Sequence, residues 1–315
     1  MPVTTGPRGP VAVIPPTSSG AGPVSSLAFK NDPTLAKLAT GAVPPLVKGA
    51  PRSESIKTVQ LALFSLGFIK PRAGIDGSFG PGTETAVKAF QASAGLAQTG
   101  TVDGNTLQAM DKAATKQIST LKAQTKQNGT KAAAFRVVAD ISDPKKTRLY
   151  VLGKNDEVAA RYLTSPGRAE YPTQGDHFKV QDRMVRKPWN PPNSSWAAAA
   201  KPIPPGVDNP MGIMKLSLGQ YSQYIHGIPV GEEPELGHAA SHGCMRMSGS
   251  NILELGEKYA EAGTDVTINR DKTRSAALEA KYAAAQLADR PTDAGREYLF
   301  GYVSGELGAQ QHIGG

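Results

Sequence analysis

The spacing of hydrophobic residues changes near residue 134, and this change limits the folds open to the chain. From Ile56 to Leu66, apolar residues recur at helical spacing, and Gly67 follows as a stop signal. From Phe135 onward, short runs rich in β-branched and aromatic residues are separated by turn residues. The sequence therefore predicts a multidomain α+β protein: a small three-helix bundle, then a mainly antiparallel β domain.

Composition refines this division into five segments. Residues 1–50 hold 9 of the 25 prolines and are expected to be a disordered linker without a core. Residues 51–115 are predicted to form the three helices, and 116–133 a solvated helical or flexible connector. The β domain spans 134–270, with one helix after its cysteine motif, and 271–315 is predicted to be a helical tail of open role that packs on the β domain or on a partner.

The charge balance limits the classes of partner. The chain has 35 basic and 27 acidic residues, a net charge of +8, which favours anionic partners such as nucleic acid, anionic lipid or an anionic cell wall. No aromatic-plus-basic motif for single-stranded nucleic acid is present, and no run of eighteen apolar residues could span a membrane. The sequence thus predicts neither a nucleic-acid partner nor a membrane span, and it leaves the oligomeric state open.

The first twenty residues lack the pattern of a secretory leader. They contain one basic residue, Arg8, and prolines flank the short apolar stretch from Val11 to Ile14. We therefore expect no classical export signal in this sequence.

The only cysteine of the chain lies in the string Ser241-His242-Gly243-Cys244-Met245-Arg246-Met247. A free thiol has a pKa of about 8.5, so a nucleophilic cysteine needs a base, usually histidine. Spacing alone does not choose among His226, His238 and His242 as that base. Gly243 would let the backbone amides of residues 243 and 244 approach an oxyanion. These histidines and the cysteine are also zinc-ligand types, which is the alternative reading of the cluster.

The helical segment resembles a known module. Val59-Gln60, Leu66-Gly67-Phe68, Asp76-Gly77 with Phe79-Gly80, and Phe90-Gln91 are similar to the three-helix peptidoglycan-binding module of bacterial wall enzymes. The resemblance covers nearly all of the segment and implies peptidoglycan as a partner. Most of these residues form helix core and turns, so they identify the fold rather than a binding surface.

The β segment resembles the L,D-transpeptidases over about 135 residues. His226, fourteen residues, and then Ser241-His242-Gly243-Cys244 are similar to that family's signature, as are Trp189-Asn190-Pro191-Pro192 and the stretch from Pro204 to Gly212. The resemblance implies a β-sandwich-like domain with a cysteine nucleophile, no cofactor and no metal. Ile228-Pro229 and the acidic insert 231–240 depart from the pattern and bear on substrate details.

The resemblance also implies a role for each matching residue. Cys244 would be the nucleophile and His226 the proton acceptor and donor. The carbonyl of Gly227 would orient the imidazole. The oxyanion region would be shaped by Ser241, His242 and Gly243. The substrate would be bound by Arg246, Tyr224 and Trp189. Trp189 and Trp196 would either cover the substrate as a flap or anchor a long loop.

The implied activity is peptidoglycan L,D-transpeptidation in the periplasm or cell wall, by way of a thioester that an amine or water resolves. Two alternatives stay open at this stage. One is an interbacterial toxin with the same chemistry, exported without a leader. The other is a wall-binding protein that has no catalytic activity.

Overall fold

A computed structural model describes residues 22–70, 75–127, 132, 134–229 and 236–308. Its helices are α1 (Leu27–Lys30), α2 (Pro33–Ala39), α3 (Glu54–Ser65), α4 (Pro81–Ser93), α5 (Gly104–Gln127), α6 (Asn251–Lys258), α7 (Lys272–Ala284) and α8 (Arg296–Ser304). Its strands are β1 (Phe135–Asp140), β2 (Arg148–Gly153), β3 (Val158–Leu163), β4 (His177–Lys179), β5 (Asp182–Val185), β6 (Met214–Ser217), β7 (Tyr224–Gly227), β8 (Met245–Met247) and β9 (Asp265–Asn269). The helical part followed by sheets confirms the predicted α+β class.

A buried glutamine organises the helical part. Gln60, fully buried on α3, donates through Nε2 to the side chains of Asp76 and Thr83, and its Oε1 accepts from the Gly77 backbone N–H at 2.8 Å. Gln91 on α4 repeats this arrangement one helix later, with Gly100 as the backbone donor. Thr83 itself lies inside α4, because that helix begins at Pro81.

The segment before α3 differs from its prediction. No core was expected in residues 1–50, yet Phe29, Leu35 and Leu38 are buried in α1 and α2. The carboxylate of Asp111 accepts the backbone N–H groups of Ser25 and Ser26 at 2.7 and 2.8 Å. The apolar spacing of this stretch therefore outweighs its proline content, and residues 1–21 lie outside the described residues.

The third helix is longer than predicted. The sequence placed the third helix within residues 51–115, whereas α5 continues to Gln127 and covers most of the predicted connector. Ile118 and Leu121 are buried against the core, so the two isolated apolar residues of this polar stretch hold it in place. The helical form of the connector is the one observed.

The β domain contains two mixed sheets rather than purely antiparallel ones. One sheet has the order β3-β2-β1-β9-β4 and the other β5-β6-β7-β8. The pairs β1–β9 and β7–β8 are parallel, and the other pairs are antiparallel. The residues from His177 to Val185 form two strands, because the chain passes between the sheets at Val180 and Gln181. The backbone N–H of Val180 donates to the Thr264 carbonyl, and that of Gln181 donates to the Ser217 carbonyl.

The second sheet has one apolar and one polar face. Leu216, Ile225 and Met245 are fully buried on the face that packs against α6. Side chains alternate along a strand, so the intervening residues point to the opposite face. That face carries Lys215, His226 and Arg246, which are neighbours across β6, β7 and β8.

The predicted tail packs against the chain itself. Glu279 of α7 accepts from the Tyr150 hydroxyl and from Arg161, both at 2.8 Å, and the Arg161 guanidinium lies 3.5 Å from the centroid of the Tyr282 ring. These contacts fix α7 to the first sheet.

Helix α8, the second helix of the predicted helical tail, connects the helical and β parts. Towards the helical part, the Phe300 ring lies 5.2 Å from that of Phe29, and the Ser65 hydroxyl donates to the Arg296 carbonyl at 2.8 Å. Towards the β part, the Tyr302 hydroxyl donates to the buried carboxylate of Glu257 on α6. The two parts consequently share one continuous hydrophobic core.

Candidate active site

His226 is held on β7 in a defined orientation. Its ring is 3% exposed, and Nδ1 lies 2.6 Å from the carbonyl oxygen of Gly227. A carbonyl only accepts, so this contact assigns the proton to Nδ1 and leaves Nε2 as the acceptor. This is the orienting contact that the resemblance implied for Gly227.

Cys244 lies beside the strand that carries His226. It immediately precedes Met245, the first residue of β8, which pairs with Ile225 in the parallel ladder. The backbone of Tyr224, two residues before His226, forms a hydrogen bond with the Cys244 thiol. The thiol lies against the start of β7, where its Sγ is 4.0 Å from the Ser222 carbonyl oxygen.

The loop before Cys244 is fixed by side-chain hydroxyls. Ser241 Oγ accepts the Gly243 N–H at 3.0 Å and donates to the Cys244 carbonyl at 2.5 Å, while Thr173 Oγ1 donates to the Gly243 carbonyl at 2.7 Å. Gly243 has φ +118°, a conformation that favours glycine. Its N–H is already used, whereas the Cys244 N–H has no partner among the described residues. Of the two amides predicted as oxyanion donors, only that of Cys244 is therefore available.

A cavity of about 210 Å³ opens beside the thiol. It is lined by Glu170, Tyr171, Pro172, Gln174, Tyr221, Ser222, Gln223, His242, Gly243 and Cys244. Of the two predicted substrate-binding aromatic residues, neither Tyr224 nor Trp189 lines it. Tyr171 and Tyr221 do, and no local motif could have identified them because they come from turns brought together by the sheet.

The two tryptophans have different positions. Trp196 stacks on the His242 ring, with centroids 4.1 Å apart and planes at 16°, and the Tyr171 ring contacts the same imidazole at 4.9 Å. Trp189 pairs through its backbone with Ile203 at the base of the same long loop. Trp196 thus contacts the loop before Cys244, whereas Trp189 closes the base of the long loop between β5 and β6.

Burial and neighbouring cations set the protonation of the pair. Burial lowers the pKa of His226 to about 4, partly offset by its Gly227 hydrogen bond, and the charges of Arg246 and Lys215 lower it further. Burial raises the pKa of the Cys244 thiol, whereas a Tyr224 backbone hydrogen bond and the same two cations lower it. In the resting site the imidazole is therefore a neutral proton acceptor beside a protonated thiol.

The remaining predicted residues lie around this centre. Arg246 exchanges two backbone hydrogen bonds with Ser165, both 2.9 Å long, which fixes the other edge of β8. His238 does not line the cavity. In the described part of the chain, no three residues of the metal-ligating types converge on one point. The acidic residues Glu232, Glu233 and Glu235 of the insert lie outside the described residues.

Two family models match this chain. Residues 134–268 match the L,D-transpeptidase catalytic domain, YkuD, and residues 52–110 match the peptidoglycan binding domain. The chain thus carries two segments that match known domain families. Its second domain belongs to the YkuD family of L,D-transpeptidase catalytic domains, and its first domain to the peptidoglycan-binding family.

Solved structures of L,D-transpeptidases are among its structural neighbours. One from Mycobacterium tuberculosis has 19% identity and a TM-score of 0.34, with 43% of this chain and 57% of that chain covered. One from Mycobacterium smegmatis has 20% identity and a TM-score of 0.33, with 44% and 59% covered. A fused Zn-dependent amidase/peptidase/peptidoglycan-binding protein from Clostridium acetobutylicum has 15% identity and a TM-score of 0.28, with 72% and 100% covered.

The chain therefore spans just over half the length of the L,D-transpeptidase structures it matches. No curated protein is similar enough to count as a match. Within the described ranges, no helix combines the length and apolar character that a membrane crossing requires.

Proposed function

We propose that this protein is a cysteine-dependent peptidoglycan L,D-transpeptidase in which Cys244 is the nucleophile and His226 the general base and acid. One observation carries the proposal. The parallel pairing of β7 with β8 supports it, because Cys244 immediately precedes β8, the Nδ1 of His226 on β7 lies 2.6 Å from the Gly227 carbonyl oxygen, and Cys244 lines a cavity. This arrangement lies within the segment that matches the L,D-transpeptidase domain.

Acylation starts from the neutral pair. The thiol proton passes to Nε2 of His226 while sulfur attacks the carbonyl carbon of the third stem residue, a diamino acid whose α-centre is L. The negative charge then lies on the substrate oxygen, towards which the unpartnered N–H of Cys244 can donate. When the C–N bond breaks, the imidazolium protonates the amine of the departing D-alanine, and a thioester to Cys244 remains.

The thioester is resolved by a second nucleophile. An amine of a neighbouring stem gives a 3–3 cross-link, a free D-amino acid gives exchange, and water gives carboxypeptidase action. In each case the neutral His226 takes a proton from the attacking group and returns it to sulfur. Both domains are those of cell-wall enzymes, which indicates an extracytoplasmic role, and the first domain supplies affinity for the polymer.

The test is turnover of defined tetrapeptide muropeptides, followed by mass spectrometry. Removal of the nucleophile in Cys244→Ala is expected to reduce D-alanine release by at least about 10³-fold while the protein remains folded. His226→Ala is expected to cause a comparable loss because the thiol then lacks its base. The matched control is His177→Ala, an exposed histidine on β4 of the other sheet, which should retain wild-type turnover.

Full D-alanine release by Cys244→Ala would contradict the proposal. A product list from the same wild-type incubation identifies the acceptor among cross-link, exchange and hydrolysis.

A further inference from the structure

Lys215 is placed beside the reacting pair by the register of the sheet. It lies directly opposite His226 in the antiparallel β6–β7 ladder, and Arg246 lies opposite His226 on the other side. Directly opposed residues point to the same face, so the imidazole lies between two cationic side chains. The L,D-transpeptidase resemblance assigned no role to Lys215, and nothing in the sequence marks it.

The ammonium is held without a carboxylate partner. Lys215 is half-buried, and its Nζ lies 4.7 Å from the centroid of the Tyr224 ring, a cation–π contact that fixes the side chain. Among the described residues it forms no ion pair. The backbone of Tyr224 also forms a hydrogen bond with the Cys244 thiol, so the residue that contacts the ammonium contacts the thiol as well.

The electrostatic couplings agree with this position. Burial lowers the pKa of Lys215, the Cys244 thiolate opposes that shift, and the charge of Lys187 adds to it. In turn Lys215 lowers the pKa of both Cys244 and His226. The charged and titratable groups around this centre are the reacting pair, three cations and five further side chains: Lys215, Lys187 and Arg246, the cavity-lining Glu170, Tyr171, Tyr221 and His242, and Tyr224.

We propose that Lys215 is a positioning residue whose ammonium stabilises negative charge on the Cys244 sulfur and makes the imidazolium of His226 a stronger acid. The inference rests on the proposed function and adds a residue to it. The proton taken from sulfur by Nε2 is then readily passed to the leaving amine, so the same positive charge favours both the formation of the anion and the departure of the leaving group. Arg246 contributes charge of the same sign from the opposite side.

The test is the pH dependence of iodoacetamide alkylation in the full chain, where Cys244 is the only thiol and therefore the only signal. Lys215→Met should shift the alkylation midpoint upward by about one pH unit, because an opposite charge favours the ionised form. Lys215→Arg should restore a midpoint near that of the wild type. Lys179→Met removes the same charge from an exposed site on β4 and should leave the midpoint unchanged.

A Lys215→Met midpoint equal to the wild-type value, in a protein that unfolds at the wild-type temperature, would overturn the inference. Lys215→Gln is the second variant if the methionine variant does not fold, and the same shift is expected of it. Alkylation needs no muropeptide, so this inference can fail while wild-type turnover stands. Loss of the proposed function would instead appear as turnover by Cys244→Ala.

Discussion

His226 illustrates how one residue combines a chemical role with a cost in stability. The imidazole is buried next to two cations, and its pKa falls to about 4. The neutral form that can accept the thiol proton therefore predominates at neutral pH. Keeping this base neutral makes the folded state sensitive to acid, because the unfolded chain binds a proton that the folded chain excludes.

This sensitivity gives a prediction with a definite sign. An unfolded histidine has a pKa of about 6.5, so the contribution of His226 to stability is complete above that pH and is lost as pH falls towards 4, by about 3 kcal/mol in total. Urea unfolding of the wild type at pH 7.5, 5.5 and 4.5 should show this loss. His226→Gln should have a flatter dependence, whereas the exposed control His177→Gln should follow the wild type. Equal pH slopes for wild type and His226→Gln would contradict the prediction.

At this scale the sequence indicated the reacting pair and missed its surroundings. Cys244 and His226 could be predicted from the sequence because their spacing matches a family signature. Lys215 and Tyr171 could not be predicted. Lys215 reaches the site through strand register and Tyr171 through a turn after β3, and neither leaves a local sequence pattern. The structure adds a backbone reason for glycine at position 243. Its φ of +118° favours glycine, although a Cβ there would meet no protein atom closer than 3.9 Å.

Among the elements, the loop between β5 and β6 connects most directly to the chemistry. Trp196 near its middle stacks on His242, and Gly212 near its end packs against the backbone of Gly227. The loop therefore supports both the cysteine loop and the carbonyl that orients His226. The sequence suggested a flap or an anchor, and the contacts are those of an anchor that borders the cavity.

Gly212 tests this support. It has φ +63°, and an added Cβ would lie 2.7 Å from the Gly227 Cα. Gly212→Ala should therefore displace Gly227 and its hydrogen bond to His226, reducing turnover by about 10²-fold and destabilising the fold by about 1–3 kcal/mol. The matched control is Gly206→Ala in the same loop, where a Cβ would meet nothing within 4 Å and wild-type turnover is expected. If both variants kept full turnover, the loop would not support the site.

The secondary-structure type was predictable where one pattern dominated. The strands β1, β2, β3 and β9 follow runs of β-branched and aromatic residues and lie within the segment predicted to be the β domain. The crossing at Val180 was not predictable, because the residues on both sides have strand character and only the pairing partners differ. Parallel pairing of β7 with β8 likewise depends on the connection between them, not on either strand alone.

For the whole molecule, α8 decides how the two domains relate. It packs on α3 and α5 of the first domain and on α6 of the second. Lys57 of α3 also forms an ion pair with Asp208 of the long catalytic-domain loop, at the edge of a cavity of about 330 Å³ between the domains. The sequence predicted two domains joined by a connector. The packing of α8 between them could not be predicted, because contacts made by a distant tail leave no trace in the composition of the connector.

The shared core predicts one cooperative unfolding transition in calorimetry of the wild type. Phe300→Ala should lower the stability by about 3–5 kcal/mol, because the ring is 1% exposed, and should separate the transition into two. Leu287→Ala, at a 42% exposed site of the same tail, should behave as the wild type. Two independent transitions in the wild-type protein would contradict the shared core.

Under the proposed function, the position of α8 has a consequence for how the protein acts on a polymer. A wall-binding module on a flexible tether samples every direction, so its catalytic partner can act at any point within the tether's length. Here the orientation of the cleft relative to the module is set by packing. Once the module is seated on a strand, the stems within reach of Cys244 are those at one distance and on one side of that strand.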